Sequence, residues 1–368
     1  MKLSVSVPGR TELAGNHTDH QGGRVLAAAV DLCVSAEAEP TDDGTVTLCS
    51  QGFGTLRIPL RRLSPAESRP GTAEALARGT LEYLEKAGYA PGGLRAELRS
   101  EIPVGAGLSS SAAFAVLVGK LQSEAYHRGT IAPVTLALAA QYGERAHFGK
   151  PCGLMDQCAC ALGGVVYLDF LEDPPVTERI SSALFAPAWR LLLLDTGSSH
   201  RDLTSDYAAI PREMGAVAAL FGKTRLREVA EEDFLASLPE ARRRCGDRAV
   251  LRALHFFAED RRVPEMAAAL KTGDAETYVK LMDASGRSSA EVLQNVSAGG
   301  SPEQPIPLAL ALCRRALEGE GAARVHGGGF AGMVQILAPA ERLPRLKKKL
   351  EPVFGHGCLR ELKTKSGE

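Results

Sequence analysis

The fold is decided by the stretch Pro103-Val104-Gly105-Ala106-Gly107-Leu108-Ser109-Ser110-Ser111-Ala112-Ala113, a glycine-rich turn that leads into three serines. Glycines let backbone N–H groups approach an anion closely, and a following helix adds the positive end of its dipole. A helix over 109–127 is expected because apolar residues recur at helical spacing from Phe114 to Leu121, and further helices are expected over 72–87 and 133–147. The pattern predicts a cradle for the phosphates of a nucleotide. Its predicted ATP-binding residues are Gly105, Gly107, Leu108, Ser109, Ser110 and Ser111.

This stretch has two alternative interpretations, a helix-capping turn and a P-loop. A glycine and serine turn that only caps an ordinary helix has the same local pattern. A P-loop is excluded because G-x-x-x-x-G-K-[ST] occurs nowhere in the chain and the segment 103–113 has no lysine. A phosphate site of another class is therefore required.

A second informative stretch, residues 8–23, reads Pro8-Gly9-Arg10-Thr11-Glu12-Leu13-Ala14-Gly15-Asn16-His17-Thr18-Asp19-His20-Gln21-Gly22-Gly23. We expect a loop here, between the strand-like run at Leu3 to Val7 and the apolar run at Val25 to Val34. Short polar side chains in fixed geometry suit a polyhydroxyl ligand such as a sugar. A solvated hairpin loop is the alternative.

Two carboxylates further along the chain are candidates for the chemistry. Asp156, in the segment 152–157, is a candidate general base, although an aspartate that opens a helix is often an N-cap. Glu144 precedes it by 12 residues on a predicted helix, where a second carboxylate would face the phosphates and hold Mg2+ through oxygen.

The segment Gly327-Gly328-Gly329-Phe330-Ala331-Gly332 matches the dinucleotide-binding pattern G-x-G-x-x-G. We reject that function because residues 333–337 are strand-like, whereas the pattern requires a helix, and no acidic residue ends a second strand about 20 positions on. The segment is instead expected to be a glycine turn whose backbone approaches another loop or the ligand.

Length and composition set the class of protein. The 368 residues suffice for two domains, and Pro174, Pro175 and Pro187 mark the expected joint near 175–190. We predict an α+β protein with an N-terminal domain at 1–185 and a C-terminal domain at 186–368. A formal net charge of −1 gives no basic surface for nucleic acid or an anionic membrane.

The N-terminal residues and the cysteines bear on the cellular location of the protein. The N-terminus lacks the apolar region of a signal peptide, so we expect a cytoplasmic protein, as a monomer or a weak oligomer. Eight cysteines are scattered along the chain. Cys152, Cys158 and Cys160 lie close together, but buried reduced thiols are favoured there over a metal site.

Taken in order, the polar segment 8–23, the turn 103–113 and the glycine turn 327–332 resemble the three motifs of the GHMP kinases. Within that family the first two resemble the galactokinases, which carry G-R-x-N-L-I-G-E-H-T-D-Y-N-G-G, then P-x-G-x-G-L-S-S-S-A-A and G-x-M-D-Q. The resemblance implies a two-domain α+β fold with the active site in the cleft between the halves. It also implies ATP-dependent phosphorylation of a sugar at its anomeric hydroxyl, giving galactose 1-phosphate.

The resemblance also assigns roles to individual residues. Asp156 and Arg10 would be catalytic, with Arg10 beside the reacting hydroxyl and stabilising the migrating phosphoryl group. Mg2+ would be held by Glu144 and a serine, Ser110 or Ser111. The sugar-binding residues would be Asn16, His17, Asp19, Gly153 and Tyr207.

The chain departs from the family pattern at the sugar segment. Asn16 replaces a glutamate expected to accept from the sugar's 6-hydroxyl, and His20-Gln21 replaces Tyr-Asn. An amide would relieve repulsion of a carboxylate at carbon 6, and His20 would add positive charge nearby. His20-Gln21 followed by glycines also resembles galacturonate kinases, so galacturonate or another hexose stays open as the substrate. A sensor that binds sugar and ATP without catalysis should have lost Asp156, Arg10 or the serines, and this chain retains them.

Overall fold

The computed structural model describes residues 2–50, 54–103, 107–181, 187–198, 204–298 and 302–364. These residues form eleven β-strands in two sheets and eleven α-helices, which confirms the predicted α+β class. Gly105 of the predicted phosphate cradle lies outside the described residues.

The first sheet holds the N-terminal half together. Its strands run in the spatial order β4-β3-β5-β2-β6-β7, with β1 also paired to β2, and β3 and β5 are the parallel pair among them. The strands are β1 (Leu3–Ala14), β2 (Arg24–Pro40), β3 (Thr45–Ser50), β4 (Gly54–Pro59), β5 (Leu94–Ser100), β6 (Val165–Asp169) and β7 (Val176–Ile180).

Helices cover this sheet and carry the predicted site residues at their ends. The second and fourth helices pack on β1 and β2, so their N-termini open beside the first two strands. The helices are α1 (Ala73–Lys86), α2 (Ser110–Tyr126), α3 (Pro133–Tyr142) and α4 (Met155–Leu162), with a π-helical turn at Gly143–Phe148 after α3. These bounds agree closely with the predicted helices at 72–87, 109–127 and 133–147.

The structure corrects several expectations about strands. The segment 8–23 is only partly a loop, because β1 continues to Ala14 and places Arg10 and Glu12 within a strand. Register shifts between Pro8 and Arg10 and between Glu12 and Ala14 interrupt the β1–β2 pairing there, and such irregularities re-aim side chains at functional sites. Strands β3, β4 and β7 and the later strand Ala322–Val325 were not predicted, and β7 occupies the stretch interpreted as part of the joint.

The second sheet belongs to the C-terminal half, with the strand order β11-β8-β10-β9. Its strands are β8 (Trp189–Asp195), β9 (Ala322–Val325), β10 (Met333–Pro339) and β11 (Leu359–Leu362). The helices of this half are α5 (Thr204–Ala219), α6 (Glu231–Ala236), α7 (Leu238–Cys245), α8 (Asp247–Thr272), α9 (Ala275–Ser288), α10 (Pro305–Leu317) and α11 (Leu343–Phe354), with a π-helical turn at Ser289–Leu293. Because β10 follows the glycine turn 327–332, the strand predicted there is confirmed and the dinucleotide-binding interpretation stays excluded.

One apolar core joins the two halves. It includes Val7 and Leu26 of the first sheet, Val263 of α8, Tyr278 of α9 and Leu193 of the second sheet. The two sheets divide between Ile180 and Trp189, and the domain boundary at 185/186 stays a prediction. Within the described ranges, no helix has the length and apolar character needed to cross a membrane.

Candidate active site

Asp156 is bound by two residues, Arg10 and Ser109, from two other parts of the chain. The Arg10 Nε donates to Asp156 Oδ1 at 2.7 Å, and the Ser109 Oγ donates to Asp156 Oδ2 at 2.5 Å. Arg10 also donates from Nη1 to the Gly107 carbonyl at 2.8 Å, and its backbone N–H donates to the Leu108 carbonyl at 3.2 Å. The first strand, the glycine-serine turn and the start of α4 are thus tied together at one carboxylate.

The electrostatics of this junction keep Asp156 ionised. Burial alone raises the pKa of a carboxyl, but the Arg10 cation, the charge of Lys150 and the Ser109 hydrogen bond lower the pKa of Asp156 to about 2. The helix α4 makes no side-chain cap hydrogen bond at its N-cap residue Leu154. Asp156 is the second residue of that helix and not its N-cap, and its two carboxylate oxygens bind Arg10 and Ser109.

The serine turn carries a second buried carboxylate. Ser111 Oγ donates to Glu144 Oε1 at 2.7 Å, and Gln157 Nε2 donates to Glu144 Oε2 at 3.0 Å. Lys150 Nζ lies 3.6 Å from Glu144 Oε2. Ser110 begins α2 and is partly exposed beside them.

This second carboxylate suits the predicted metal. Hydroxyl and carboxylate oxygens are the hard ligands that Mg2+ prefers, and Ser111 and Glu144 present both kinds side by side. Over the described ranges, no three His, Cys, Asp or Glu side chains gather as a metal site, Cys152, Cys158 and Cys160 included. Mg2+ held by one carboxylate, one hydroxyl and the nucleotide fits the residues that are present.

Asp19 lies directly against the segment that contains Asp156. A Cβ atom added to Gly153 would lie 1.5 Å from Asp19 Oδ2, so any other residue there would have to displace the Asp19 carboxylate. Gln141 Nε2 donates to the Gly153 carbonyl at 2.8 Å and helps to fix that backbone. Burial, with the nearby charge of Asp156, raises the pKa of Asp19 to about 6. The predicted sugar ligands Asp19 and Gly153 are thus in contact.

A chain of hydrogen bonds fixes the histidines of the sugar segment. His17 Nε2 must donate to the Gly328 carbonyl at 2.9 Å, because a carbonyl only accepts. His17 Nδ1 then accepts from His20 Nε2 at 3.3 Å, and Gln21 Nε2 donates to His20 Nδ1 at 3.4 Å. Burial lowers the pKa of His17 to about 4 and that of His20 well below 6.5. Both rings are neutral at pH 7, so the expected positive charge at His20 is wrong.

The side-chain amide of Asn16 forms hydrogen bonds to other groups of the protein. Its Nδ2 donates to the Gly327 carbonyl at 2.7 Å and to Glu12 Oε1 at 3.2 Å. Its Oδ1 accepts from Asn295 Nδ2 at 2.9 Å. The side chain therefore braces the sugar segment against the glycine turn. Compared with the family string R-x-N-L-I-G-E, the chain has exchanged the amide and the carboxylate, giving Glu12 and Asn16.

Tyr207 lies over the same glycine turn. Its hydroxyl donates to the Gly329 carbonyl at 2.6 Å, and its ring packs edge-on against Phe330. A Cβ on Gly328 would lie 2.5 Å from the Tyr207 ring. The backbone of the glycine turn thus contacts the sugar segment, another loop as predicted, and it also contacts Tyr207 of α5.

Several residues at the site were not singled out from the sequence. Glu259 of α8 accepts from the backbone N–H groups of Gly15 at 3.2 Å and Asn16 at 3.3 Å. Arg324 donates to Glu12 Oε1 at 2.6 Å. No motif marks these positions, since they are single charged residues within a helix and a strand. Lys150 carries a weak signal, as a basic residue six positions before Asp156.

The fold and this geometry define a kinase of the GHMP class. The model of the GHMP kinases N terminal domain matches residues 75–164, and the galactokinase galactose-binding signature matches residues 2–40. Among solved structures, the chain is similar to Lactococcus lactis galactokinase complexed with galactose, with a TM-score of 0.84, 22% identity and coverage of 100% and 94% of the two chains. Methanococcus jannaschii mevalonate kinase shares the fold, with a TM-score of 0.68, 17% identity and coverage of 100% and 99%.

Curated relatives narrow the class further. The chain is 32% identical to the galactokinase of Streptomyces coelicolor over 358 residues, which covers 96% of this chain and 89% of the relative. It is 32% identical to the Homo sapiens galactokinase over 364 residues, covering 96% and 88%. The Pyrococcus furiosus galactokinase is 31% identical over 343 residues, covering 93% and 90%. The chain belongs to the galactokinase family.

Proposed function

We propose that the protein transfers the γ-phosphoryl group of ATP to the anomeric hydroxyl of galactose, producing galactose 1-phosphate. The observation that carries the proposal is the junction at Asp156. Arg10, from the galactose-binding signature, and Ser109, from the phosphate turn, both bind this one carboxylate. A sugar at the first segment and a triphosphate at the second are thereby directed to the same point, and such positioning is the main demand of phosphoryl transfer.

The remaining residues divide between the two substrates. Gly107, Leu108 and the serines 109–111 hold the phosphates with backbone N–H groups and hydroxyls, aided by the N-terminus of α2. Asp19 accepts hydrogen bonds from sugar hydroxyls, and Gly153 gives it room. Asn16 and His17 shape the sugar segment from behind, and Tyr207 holds the glycine turn in place.

Asp156 is the residue that accepts the hydroxyl proton. With a pKa of about 2 it is ionised at physiological pH, but it is a weak base before the reaction begins. Proton transfer is therefore expected late, once the sugar oxygen bonds to phosphorus and becomes acidic. Until then the Asp156 carboxylate orients the sugar hydroxyl, and Arg10 balances the charge of that carboxylate.

A neutral hexose fits the sugar segment better than galacturonate. A carboxylate at carbon 6 would gain from a nearby cation, but His17 and His20 are neutral at pH 7. Gln21, which suggested the galacturonate kinases, instead accepts from the Leu226 backbone N–H at 3.1 Å. Its role is to join the sugar segment to the C-terminal half.

Mg2+ would be held by Glu144 and Ser111, with Ser110 beside them, and would supply charge neutralisation at the phosphates. We also place the reaction in the cytoplasm. All eight cysteines are free thiols, as expected of a reducing compartment.

The proposal is tested by incubating purified protein with ATP, Mg2+ and either galactose or galacturonate while ADP release is followed. Phosphorus NMR of the product then locates the phosphate on the sugar. ADP release with galactose and an anomeric phosphate are expected. Turnover with galacturonate alone would overturn the substrate, and binding of ATP and sugar without ADP release would overturn the activity.

A further inference from the structure

A lysine lies at the edge of the phosphate site. Lys150 follows Gly149, whose φ of +85° ends the π-helical turn Gly143–Phe148. The Lys150 backbone N–H donates to the Glu144 carbonyl at 2.9 Å, which fixes its position beside that carboxylate. Its Nζ lies 3.6 Å from Glu144 Oε2. The Lys150 side chain is 47% exposed, whereas the Glu144 side chain is 1% exposed. The Lys150 ammonium therefore lies between the buried Glu144 carboxylate and the solvent.

Glu144 is already hydrogen-bonded without this lysine. One carboxylate oxygen accepts from Ser111 Oγ at 2.7 Å and the other from Gln157 Nε2 at 3.0 Å. A 3.6 Å contact to a half-exposed lysine is a loose ion pair, and such pairs contribute little to stability. The contact alone thus gives no strong structural reason for a lysine at this position.

The charge of Lys150 is nevertheless secure. Its ammonium lies beside the Glu144 carboxylate, and Asp156 adds a second negative charge near it. A lysine ammonium is a mobile point charge on a four-carbon stem, suited to following phosphate oxygens. The phosphate turn itself has no lysine between residues 103 and 113.

We propose that Lys150 is the phosphate-binding lysine of this site, donating from Nζ to the terminal phosphates of ATP, and that it rests on Glu144 when no nucleotide is bound. The inference rests on the proposed function, because it takes the turn 107–111 as the phosphate cradle. Mg2+ held by Glu144 would balance the charge of that carboxylate and would leave the Lys150 ammonium free to bind the phosphates. The four-carbon stem and the exposed side of Lys150 allow this movement.

The test measures nucleotide binding without sugar or turnover. Isothermal titration calorimetry compares a non-hydrolysable ATP analogue with AMP, in Mg2+ and in EDTA, for the wild-type protein and for Lys150→Met and Lys150→Arg. We expect Lys150→Met to weaken binding of the ATP analogue about tenfold in Mg2+, because one charge-assisted hydrogen bond is lost. The loss should be smaller in EDTA, where the Glu144 carboxylate keeps its charge and holds the ammonium. AMP binding should stay within twofold, and Lys150→Arg should recover most of the loss. Lys348→Met, at an exposed lysine of α11, is the matched control.

These binding measurements distinguish a failure of the lysine inference from a failure of the proposed function. If the wild-type protein binds the analogue and Lys150→Met binds it equally well, the lysine inference is wrong and the kinase proposal stands. An equal loss for AMP and the analogue would show a general disturbance of the site and would also overturn the inference. If the wild-type protein fails to bind the analogue in Mg2+, both proposals fail.

Discussion

Asp19 Oδ2 occupies the space that a side chain on Gly153 would need, lying 1.5 Å from the ideal Cβ position of that glycine. The contact joins the loop after β1 to the segment that leads into α4. Because Asp156, the second residue of α4, follows Gly153 by three residues, one short segment of backbone positions the Asp156 carboxylate and contacts the Asp19 carboxylate.

Gly153→Ala should therefore impair the use of sugar more than the use of ATP. The new methyl group must displace the Asp19 carboxylate, and a misplacement of about 1 Å in a positioning group costs roughly 100-fold in rate. Steady-state kinetics should show kcat/KM for galactose reduced about 100-fold, with the affinity for ATP unchanged. Gly215→Ala in α5 is the control, since a Cβ there meets no atom within 4 Å. Wild-type kcat/KM in Gly153→Ala would contradict the contact.

The pH dependence of sugar use should report Asp19. Its pKa is raised to about 6, so the carboxylate gains a proton as the pH falls through 6 and no longer accepts two hydrogen bonds from the sugar. The kcat/KM for galactose should fall about tenfold per pH unit below that pKa, since this ratio reports ionisations of the free enzyme. Asp156, with a pKa of about 2, stays ionised throughout this range.

Asp19→Asn provides the control for this profile. The variant should have low activity at every pH and no fall between pH 7 and 5, because the titrating group is gone. A wild-type profile that is flat over this range would assign the sugar contacts to another residue.

The exchanged pair Glu12 and Asn16 should be strongly coupled. Asn16→Glu alone places a second carboxylate beside Glu12, since the Asn16 amide nitrogen lies only 3.2 Å from Glu12 Oε1 within the protein core. We expect a loss of at least about 3 kcal/mol in the free energy of unfolding, typical of an unpaired buried charge. The double variant Glu12→Asn, Asn16→Glu keeps one carboxylate and one amide.

Urea denaturation of the two single variants and the double variant measures this coupling. The double variant should be more stable than the sum of the single effects predicts, by about 1–3 kcal/mol. Additive effects would mean that the two side chains do not interact.

The sequence predicted the fold where local patterns were strong. Helix α2 was predicted from its apolar stripe and the glycine-serine turn before it, within one residue at each end. Strands β3 and β4 were missed because each is only six residues long and has few apolar positions. The extension of β1 to Ala14 was missed because Arg10, Thr11 and Glu12 resemble a polar loop. Their burial depends on partners such as Arg324, which lies far along the chain.

The candidate active site was likewise predicted in part from the sequence. Motif comparison brought Arg10, Asp156 and Ser109 together in advance, and the structure places them in direct hydrogen-bond contact. It did not foresee that Asn16 and His17 would bind the glycine turn, because those partners are backbone carbonyls more than 300 residues away. Spacing in sequence indicates which residues have the right chemistry, but only the fold decides which polar groups face the ligand.

Glu144→Gln should raise the Mg2+ requirement of the enzyme. The amide keeps the size of the carboxylate but loses the charge, and its single oxygen can still accept from one of the two donors, Ser111 or Gln157. We expect the Mg2+ concentration for half-maximal activity to rise about tenfold, because a neutral oxygen is a weaker ligand for a hard cation. KM for galactose should be unchanged, and thermal denaturation should confirm that the variant is folded. Glu276→Gln, at an exposed position on α9, serves as the control. An unchanged Mg2+ requirement in both Glu144→Gln and Ser111→Ala would remove this pair from the metal site.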